Sequence, residues 1–493
     1  MASPLETAAD PGKLRRVVIE PVTRVEGHGK VTILLDEQRR VQQVRLHIVE
    51  FRGFERFIQG RPYWEVPVMV QRLCGICPVS HHLAAAKALD HVVGARAIPR
   101  TAELIRRLMH YGQILQSHAL HFYHLASADL LLGFDSEPMR RNIVGVLSAY
   151  PEIARQGILL RKFGQEVIRI TAGKRIHGTG AIPGGVNKRI TRAERDELIA
   201  PLGNVLAWAS AGVRLATELH QQHREVYDHF GTVPSSLLSL VGRDGNLDLY
   251  DGVMRVRDKA GAILFDGVEC EEYEALLRES VRSWSYMKFP FLRSLGPELG
   301  WYKVGPLARI QNCNSIGTPL AEAARQELLA TSPGALIHSP LASHRARLIE
   351  LLHAAEVIQQ LLDDPELLGD DLSATGPRGT VGIGIIEAPR GTLIHHYEVD
   401  SQDLVTACNL IVSTTHNNQA MNEAIREVAR QYLDGQEPTP ALLNHIEVAI
   451  RAFDPCLSCA THALGKMPLA VELIDAASGM SVGHLARAGD GVA

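Results

Sequence analysis

Along residues 13–50 apolar and polar positions alternate, as in Val31-Thr32-Ile33 and Val44-Arg45-Leu46-His47-Ile48, and this period of two predicts antiparallel strands. From residue 79 to residue 132 the apolar spacing becomes helical, beginning with the run Ala84-Ala85-Ala86-Lys87-Ala88-Leu89. Helical spacing returns over residues 192–229, 271–287, 321–329, 344–362 and 418–432. Strand-like runs return over 380–387, 392–397 and 410–413. The clusters Ile182-Pro183-Gly184-Gly185 and residues 374–379 mark loops rather than interdomain linkers. No internal repeat or low-complexity block is present. The pattern predicts an α+β protein, mainly α, with a helical core and small antiparallel sheets at its periphery.

At 493 residues the chain exceeds the usual single-domain length, yet large enzymes often pack such a length as one multi-lobed unit. Hydrophobic residues make up 46% and charged residues 22%, as in ordinary globular proteins. A formal net charge of −4 gives no basic footprint for nucleic acid and no polybasic stretch for anionic lipid. No apolar run approaches the roughly 20 residues of a membrane span, and the N-terminal residues do not read as a signal peptide. No glycine pattern suits a nucleotide: Gly178-Thr179-Gly180 and Gly382-Ile383-Gly384 both lack a third glycine at the required offset.

Cysteine placement changes the picture most. Of seven cysteines, four form two Cys-x-x-Cys pairs, Cys74/Cys77 and Cys456/Cys459, near opposite ends of the chain. Four thiolates select soft or borderline metals over Mg or Ca. A zinc ribbon closes its second pair after about 15–20 residues. Here almost the whole protein lies between the pairs, so a metal would sit where the two chain ends meet, and its purpose is expected to be chemical. A structural four-cysteine zinc site is the alternative. Cys270, Cys313 and Cys408 are isolated and read as buried structural residues, which leaves no ligand set for an iron–sulfur cluster in this chain.

The flanking residues carry a family resemblance. Arg72-Leu73-Cys74-Gly75-Ile76-Cys77-Pro78-Val79-Ser80-His81-His82 resembles the N-terminal cysteine motif of [NiFe]-hydrogenase large subunits, and Asp454-Pro455-Cys456-Leu457-Ser458-Cys459-Ala460-Thr461-His462 resembles their C-terminal motif. Arg24-Val25-Glu26-Gly27-His28-Gly29, Glu50-Phe51-Arg52-Gly53-Phe54-Glu55 and Glu387-Ala388-Pro389-Arg390-Gly391 match further family blocks in order. The runs that follow the two cysteine motifs look most like the soluble, NAD-reducing subtype.

This resemblance implies a fold built on a central bundle of long helices and a reversible heterolytic cleavage of H2. It implies Cys74 and Cys456 as terminal nickel ligands, with Cys77 and Cys459 bridging nickel to an iron that carries CO and cyanide. Glu26 would take the proton from a nickel thiolate, and Arg390, positioned by Asp454, would face the open metal position. Pro389 would line the pocket of the diatomic ligands. Glu55 and His462 would hold a structural Mg, and His81 would hydrogen-bond a bridging sulfur. Read without the resemblance, Glu26 is a surface carboxylate paired with Arg24, Arg390 a turn arginine and Asp454 a helix N-cap. His110, His118, His121 and His124 read as core or partner-facing residues of an amphipathic helix.

The resemblance further implies partners: a small subunit carrying FeS clusters, diaphorase subunits binding FMN and NAD, nickel chaperones, and a maturation endopeptidase. The endopeptidase would cut the His462–Ala463 bond, dividing the chain into a catalytic unit, 1–462, and an extension, 463–493, removed on maturation. The expected location is cytoplasmic, with H2 as the substrate. Another acceptor (NADP+ or a deazaflavin), an H2 sensor, and a non-catalytic relative in respiratory complex I are the alternatives; the last lacks these cysteines.

Overall fold

The computed structural model describes residues 8, 10–95, 97–461, 469–474 and 481–487. The alternating N-terminal segment forms a three-stranded antiparallel sheet: β1 (Arg15–Ile19), β2 (Gly29–Leu35) and β3 (Val41–Ile48). Its inner face buries Val31, Ile33, Val44 and Leu46 completely or nearly so, as the period of two requires.

Two helices follow, α1 (Pro78–Val92) and α2 (Arg100–Leu120), the second running through a π-helical stretch, His121–Ala126, into Ser127–Leu132. Then come α3 (Pro151–Ala172) and α4 (Leu202–Gln222). A mixed sheet places β4 (Ser236–Val241) beside β5 (Val253–Arg257), which pairs with β6 (Ile263–Val268). The short helix α5 (Pro306–Asn312) precedes the long helix α6 (Ala342–Asp363). The three-stranded sheet β7 (Val381–Ala388), β8 (Gly391–Val399) and β9 (Val405–Ile411) leads to α7 (Asn418–Tyr432) and α8 (Pro440–Ala452).

Helices α2, α3, α4 and α6 form the central bundle: α2 lies against both α3 and α6, and α6 also packs on α4. The sequence pattern did not predict α3, because its buried stripe runs through Ala154, Gly157, Leu160 and Gly164, where small residues interrupt the apolar signal. The expected helix over 271–287 is corrected to a single turn (Tyr273–Leu276) followed by a strand, Leu277–Ser280, paired antiparallel with Phe289–Leu292. Beyond Leu277 the segment has no continuous apolar face, and pairing buries Leu277 and Ser280 against a partner strand instead.

One sheet lies in the interior rather than at the edge. Helix α1 packs directly on β7 and β8, and the contact depends on glycine: a Cβ on Gly384 would stand 2.3 Å from the Ala84 carbonyl oxygen. The alanine run of α1 thus meets β7 at its two glycines, Gly382 and Gly384, which lets helix and strand approach closely. The described parts of the C-terminal extension, Leu469–Ile474 and Ser481–Arg487, pair as antiparallel strands. His462 and Ala463 lie outside the described residues. Among the described residues, no single helix is long and apolar enough to cross a membrane.

Candidate metal centre

Both cysteine motifs are set by the elements that flank them. Cys77 immediately precedes α1, whose first residue is Pro78, so the positive end of the helix dipole favours thiolate at this position. The amides of Ile76 and Cys77 point at Cys74 Sγ, at 3.2 and 3.1 Å. The second motif follows α8. Asp454 has φ of 52°, a left-handed conformation that aspartate tolerates, and this turn directs Pro455 and Cys456 back toward the first motif.

The chain ends then interlock. The Leu457 amide donates to the Glu26 carbonyl at 2.9 Å, and the Cys456 amide to Thr414 Oγ1 at 2.9 Å. Gly27 has φ of +82°, and a Cβ there would approach the Ser458 amide nitrogen to 2.6 Å, so glycine is required for the two segments to touch.

All four cysteines are buried, with their sulfurs within 4.8 Å of one another. Cys74 Sγ lies 3.0 Å from Cys77 Sγ and 3.2 Å from Cys456 Sγ, and Cys77 and Cys459 are 3.9 Å apart. Metal–sulfur bonds of about 2.3 Å in a tetrahedron put sulfurs about 3.8 Å apart, so this donor set needs only a slight opening to hold metal. Hydrogen bonds from the other three cysteines hold the Cys77 thiol well below its usual range, whereas burial pushes Cys456 and Cys459 well up. Metal entry must displace the protons that burial favours on Cys456 and Cys459.

Beside Cys77 and Cys456 lies an enclosed cavity of about 10 Å³, bounded by His81, Pro389, Arg390, Leu393, Val412 and Thr414. A structural zinc site is closed on all sides, whereas a reaction centre needs open volume next to the metal. Arg390 reaches this cavity from the turn joining β7 to β8. Its Nε donates to the Asp454 carbonyl at 2.6 Å, Nη2 to Asp454 Oδ1 at 3.0 Å, and Nη1 points to Ser117 Oγ at 3.4 Å. Burial opposes its charge, but Asp454 and the nearby sulfurs outweigh it and raise the guanidinium well above its ordinary value. Asp454 is therefore a buried ion-pair partner rather than a helix N-cap.

The alternative pairing of Glu26 with Arg24 is corrected. Arg24 turns to Asp129, at 2.6 Å, while half-buried Glu26 faces the centre. Cys456 Sγ lies 2.9 Å from Glu26 Oε2, which also accepts from the Ser458 amide at 3.2 Å, and the Ser458 hydroxyl donates to Glu26 Oε1. Asp129 ties the assembly together: it pairs with Arg24 and, at 2.8 Å, with Arg451 of α8, whose Nη1 donates to the Thr23 carbonyl. One buried carboxylate thus fixes the segments that bear Glu26 and Cys456.

His81 is buried one turn into α1, where it contributes to holding the Cys77 thiol down. Its Nδ1 lies 3.1 Å from His395 Nε2, and His395 Nδ1 lies 2.6 Å from the Tyr397 hydroxyl. His177 is another residue the sequence pattern did not single out. Arg72 donates to its Nδ1 at 2.8 Å, leaving Nε2–H to donate to the Cys74 carbonyl at 3.1 Å. Neither His395 nor His177 lies in a motif, and only folding brings them to the cysteines.

Glu55 is buried, accepts from the Leu410 amide at 3.0 Å and has Lys288 Nζ at 3.8 Å. Burial keeps the isolated thiols protonated, with Cys270 and Cys313 raised to about 11 and Cys408 well above its usual value.

In the histidine cluster, His110, His118 and His121 are core residues, and His124 is exposed. Burial lowers His110, His118 and His353 to about 4, against an unfolded value near 6.5. Between those values the unfolded chain binds more protons, so folding stability is full above about pH 6.5 and is lost as pH falls toward 4. Each histidine contributes up to about 1.4 kcal/mol per pH unit in that window. Thermal unfolding followed over this range is expected to show a steep fall in midpoint, and a midpoint independent of pH between about 6.5 and 4.5 would contradict this assignment.

A helical bundle that closes four thiolates from its two chain ends around a cavity roofed by arginine defines a redox-metal catalytic subunit. The comparisons with known proteins make the class specific. A family model described as nickel-dependent hydrogenase matches residues 52–132 and 253–462, and a HoxL-like model matches residues 16–51. The chain is 47% identical over 478 residues to the NAD-reducing hydrogenase HoxS subunit beta of Cupriavidus necator, covering 94% of this chain and 98% of that one. It is 44% identical over 416 residues to a subunit of the F420-non-reducing hydrogenase vhu of Methanocaldococcus jannaschii, covering 84% and 99%. Among solved structures it is similar to an NAD+-reducing [NiFe]-hydrogenase in the H2-reduced state, with a TM-score of 0.90, 59% identity and coverage of 91% and 99%. The chain belongs to the nickel-dependent hydrogenase family.

Proposed function

We propose that this chain is the catalytic large subunit of a cytoplasmic [NiFe]-hydrogenase that couples H2 to NAD+. The observation that carries the reading is the convergence of Cys74, Cys77, Cys456 and Cys459 beside a cavity roofed by Arg390. When bound there, the nickel–iron pair supplies the Lewis acidity and redox capacity for heterolytic cleavage of H2.

The chain's own residues do the rest. Cys74 and Cys456 would hold nickel, and Cys77 and Cys459 would hold nickel and iron together. Pro389 and Leu393 give the cavity an apolar wall that suits the iron's CO and cyanide. Arg390 remains charged at any working pH and offers fixed donors toward the cavity, so it polarises without titrating. Glu26 receives the proton at Oε2 from the Cys456 sulfur and hands it outward, while Ser458 keeps the carboxylate aimed. A protein-bound carboxylate at 2.9 Å is within range for such transfer. His81 tunes the Cys77 sulfur by hydrogen bonding.

Glu55 offers a buried hard oxygen suited to Mg, with His462 as its second side-chain ligand. Cleavage after His462 removes 463–493 once nickel is loaded, the step for which chaperones and an endopeptidase are needed. Electrons leave through an FeS small subunit to an FMN-containing diaphorase. The NAD+ assignment is supported by the 47% and 59% identities to NAD-reducing relatives.

The test is H2-driven reduction by the purified complex. NADH should form under H2 from NAD+, and more slowly or not at all from NADP+ or a deazaflavin. H2-driven dye reduction without NADH formation, in a complex with its diaphorase and FMN intact, would remove the acceptor assignment and keep the chemistry.

A further inference from the structure

The turn that carries Pro389 and Arg390 is gripped from behind by a second arginine, on α5. Arg309 is completely buried. Its Nη1 donates to the Ala388 carbonyl at 2.6 Å and to Glu387 Oε2 at 2.9 Å, while Nη2 points to the Pro389 carbonyl at 3.3 Å. Its Nε donates to Glu350 Oε1 at 2.7 Å, and Glu350 Oε2 lies 3.0 Å from His118 Nε2. The other oxygen of Glu387 accepts from the Leu240 amide at 2.8 Å and from Thr392 Oγ1 at 2.7 Å. One guanidinium therefore spans two buried carboxylates and the two carbonyls that directly precede Arg390.

Buried ion pairs of this kind seldom outdo a well-packed apolar core in stability. Burial alone would raise Glu350, yet Arg309 and His118 hold it at about 2. Burial pushes Glu387 up even so, and among the described residues the Ala388 and Pro389 carbonyls take their side-chain hydrogen bonds from Arg309. Arg390 itself is fixed at its head by Asp454, which belongs to a different segment. Head and backbone thus have separate anchors, and both must be in place for the guanidinium to address the cavity.

We propose that Arg309, braced by Glu350 and Glu387, is a positioning residue for catalysis: it fixes the Ala388-Pro389 backbone so that Arg390 is aimed at the metal cavity. The inference rests on the reading of Arg390 given above. A lysine in place of Arg309 keeps one positive charge but cannot span both carboxylates and both carbonyls. Displacements of about 1 Å in positioning groups can cost on the order of a hundredfold in rate.

The test uses the complete complex with three variants, R309K, Glu387→Gln and R390K. It measures nickel and iron content, turnover under saturating H2, and the infrared bands of the iron's diatomic ligands. In R309K and Glu387→Gln, metal content is expected to stay at the wild-type level, turnover to fall ten- to hundredfold, and the bands to shift as they do in R390K. Wild-type turnover with unshifted bands in a metal-loaded R309K would overturn the proposal. So would a loss of turnover that only tracks metal content in both Arg309 and Glu387 variants while the bands of the loaded fraction stay put, since that marks a purely structural role. If R390K itself neither slows turnover nor moves the bands, the reading of Arg390 fails and takes the positioning role with it.

Discussion

Replacing Glu26 by glutamine is expected to lower H2-dependent turnover by about two to four orders of magnitude, the usual worth of a positioned proton acceptor, with nickel and iron content unchanged. Glutamine has nearly the same shape, and its carbonyl oxygen can still accept from the Ser458 hydroxyl, as Glu26 Oε1 does. It cannot take a proton from a sulfur 2.9 Å away. The effect should therefore fall on proton transfer alone. Isotope exchange between D2 and water, which needs cleavage and proton exit but no external acceptor, should fall in parallel with turnover. Exchange at the wild-type rate in the Glu26→Gln complex would show that protons leave by another route. A loss of metal would show instead that Glu26 holds the two chain ends together, a role its contacts with the Ser458 amide also permit.

Cys456→Ser is expected to abolish nickel binding and to take activity below detection. A serine hydroxyl is a harder donor than thiolate and does not ionise in this range, so the metal would lose one of its four soft ligands in a buried cage. Cys270→Ala provides the contrast. Cys270 is also buried, yet its thiol is held protonated by burial, packs in an apolar cluster away from the site and donates to the Gly252 carbonyl at 3.6 Å. It should retain nickel, iron and turnover. Equal metal loss in the two variants would mean that loading fails through misfolding rather than through a missing ligand.

The residues of the candidate site were more legible in the sequence than the boundaries of the elements that hold them. Both cysteine pairs, Glu26, Arg390 and Asp454 stand in motifs whose residue types already limit the chemistry, and folding brings the four cysteines together, with Glu26 against Cys456 and Arg390 against Asp454. Parts that depend on long-range contact were not visible. Asp129 looks like any helical aspartate until Arg24 and Arg451 are seen to share it. Arg309, His177 and His395 lie outside every motif, and the motif residues they touch are between 78 and 314 residues away. In the fold, the amphipathic helix α7 and the long, almost wholly buried helix α6 were legible. Helix α3 was hidden by the glycines that let it approach α2, and the strand at Leu277–Ser280 by a local pattern that suits either state until a partner strand chooses.

Partners matter to how these expectations are read, because the proposed electron path runs through an FeS small subunit: among the described residues, this chain's cysteines outside the two motifs are isolated and buried or half-buried. Turnover belongs to the complex. Metal content belongs to this chain.

The most direct measurement is therefore nickel, iron and zinc per chain, on protein purified with its small subunit from a host that supplies hydrogenase maturation proteins, with the C-terminus defined by mass spectrometry. One nickel and one iron per chain ending at His462 is the result expected from four thiolates closed around a binuclear centre. One zinc and no nickel in a chain already cleaved after His462 would contradict it, and would make the four cysteines a structural clasp.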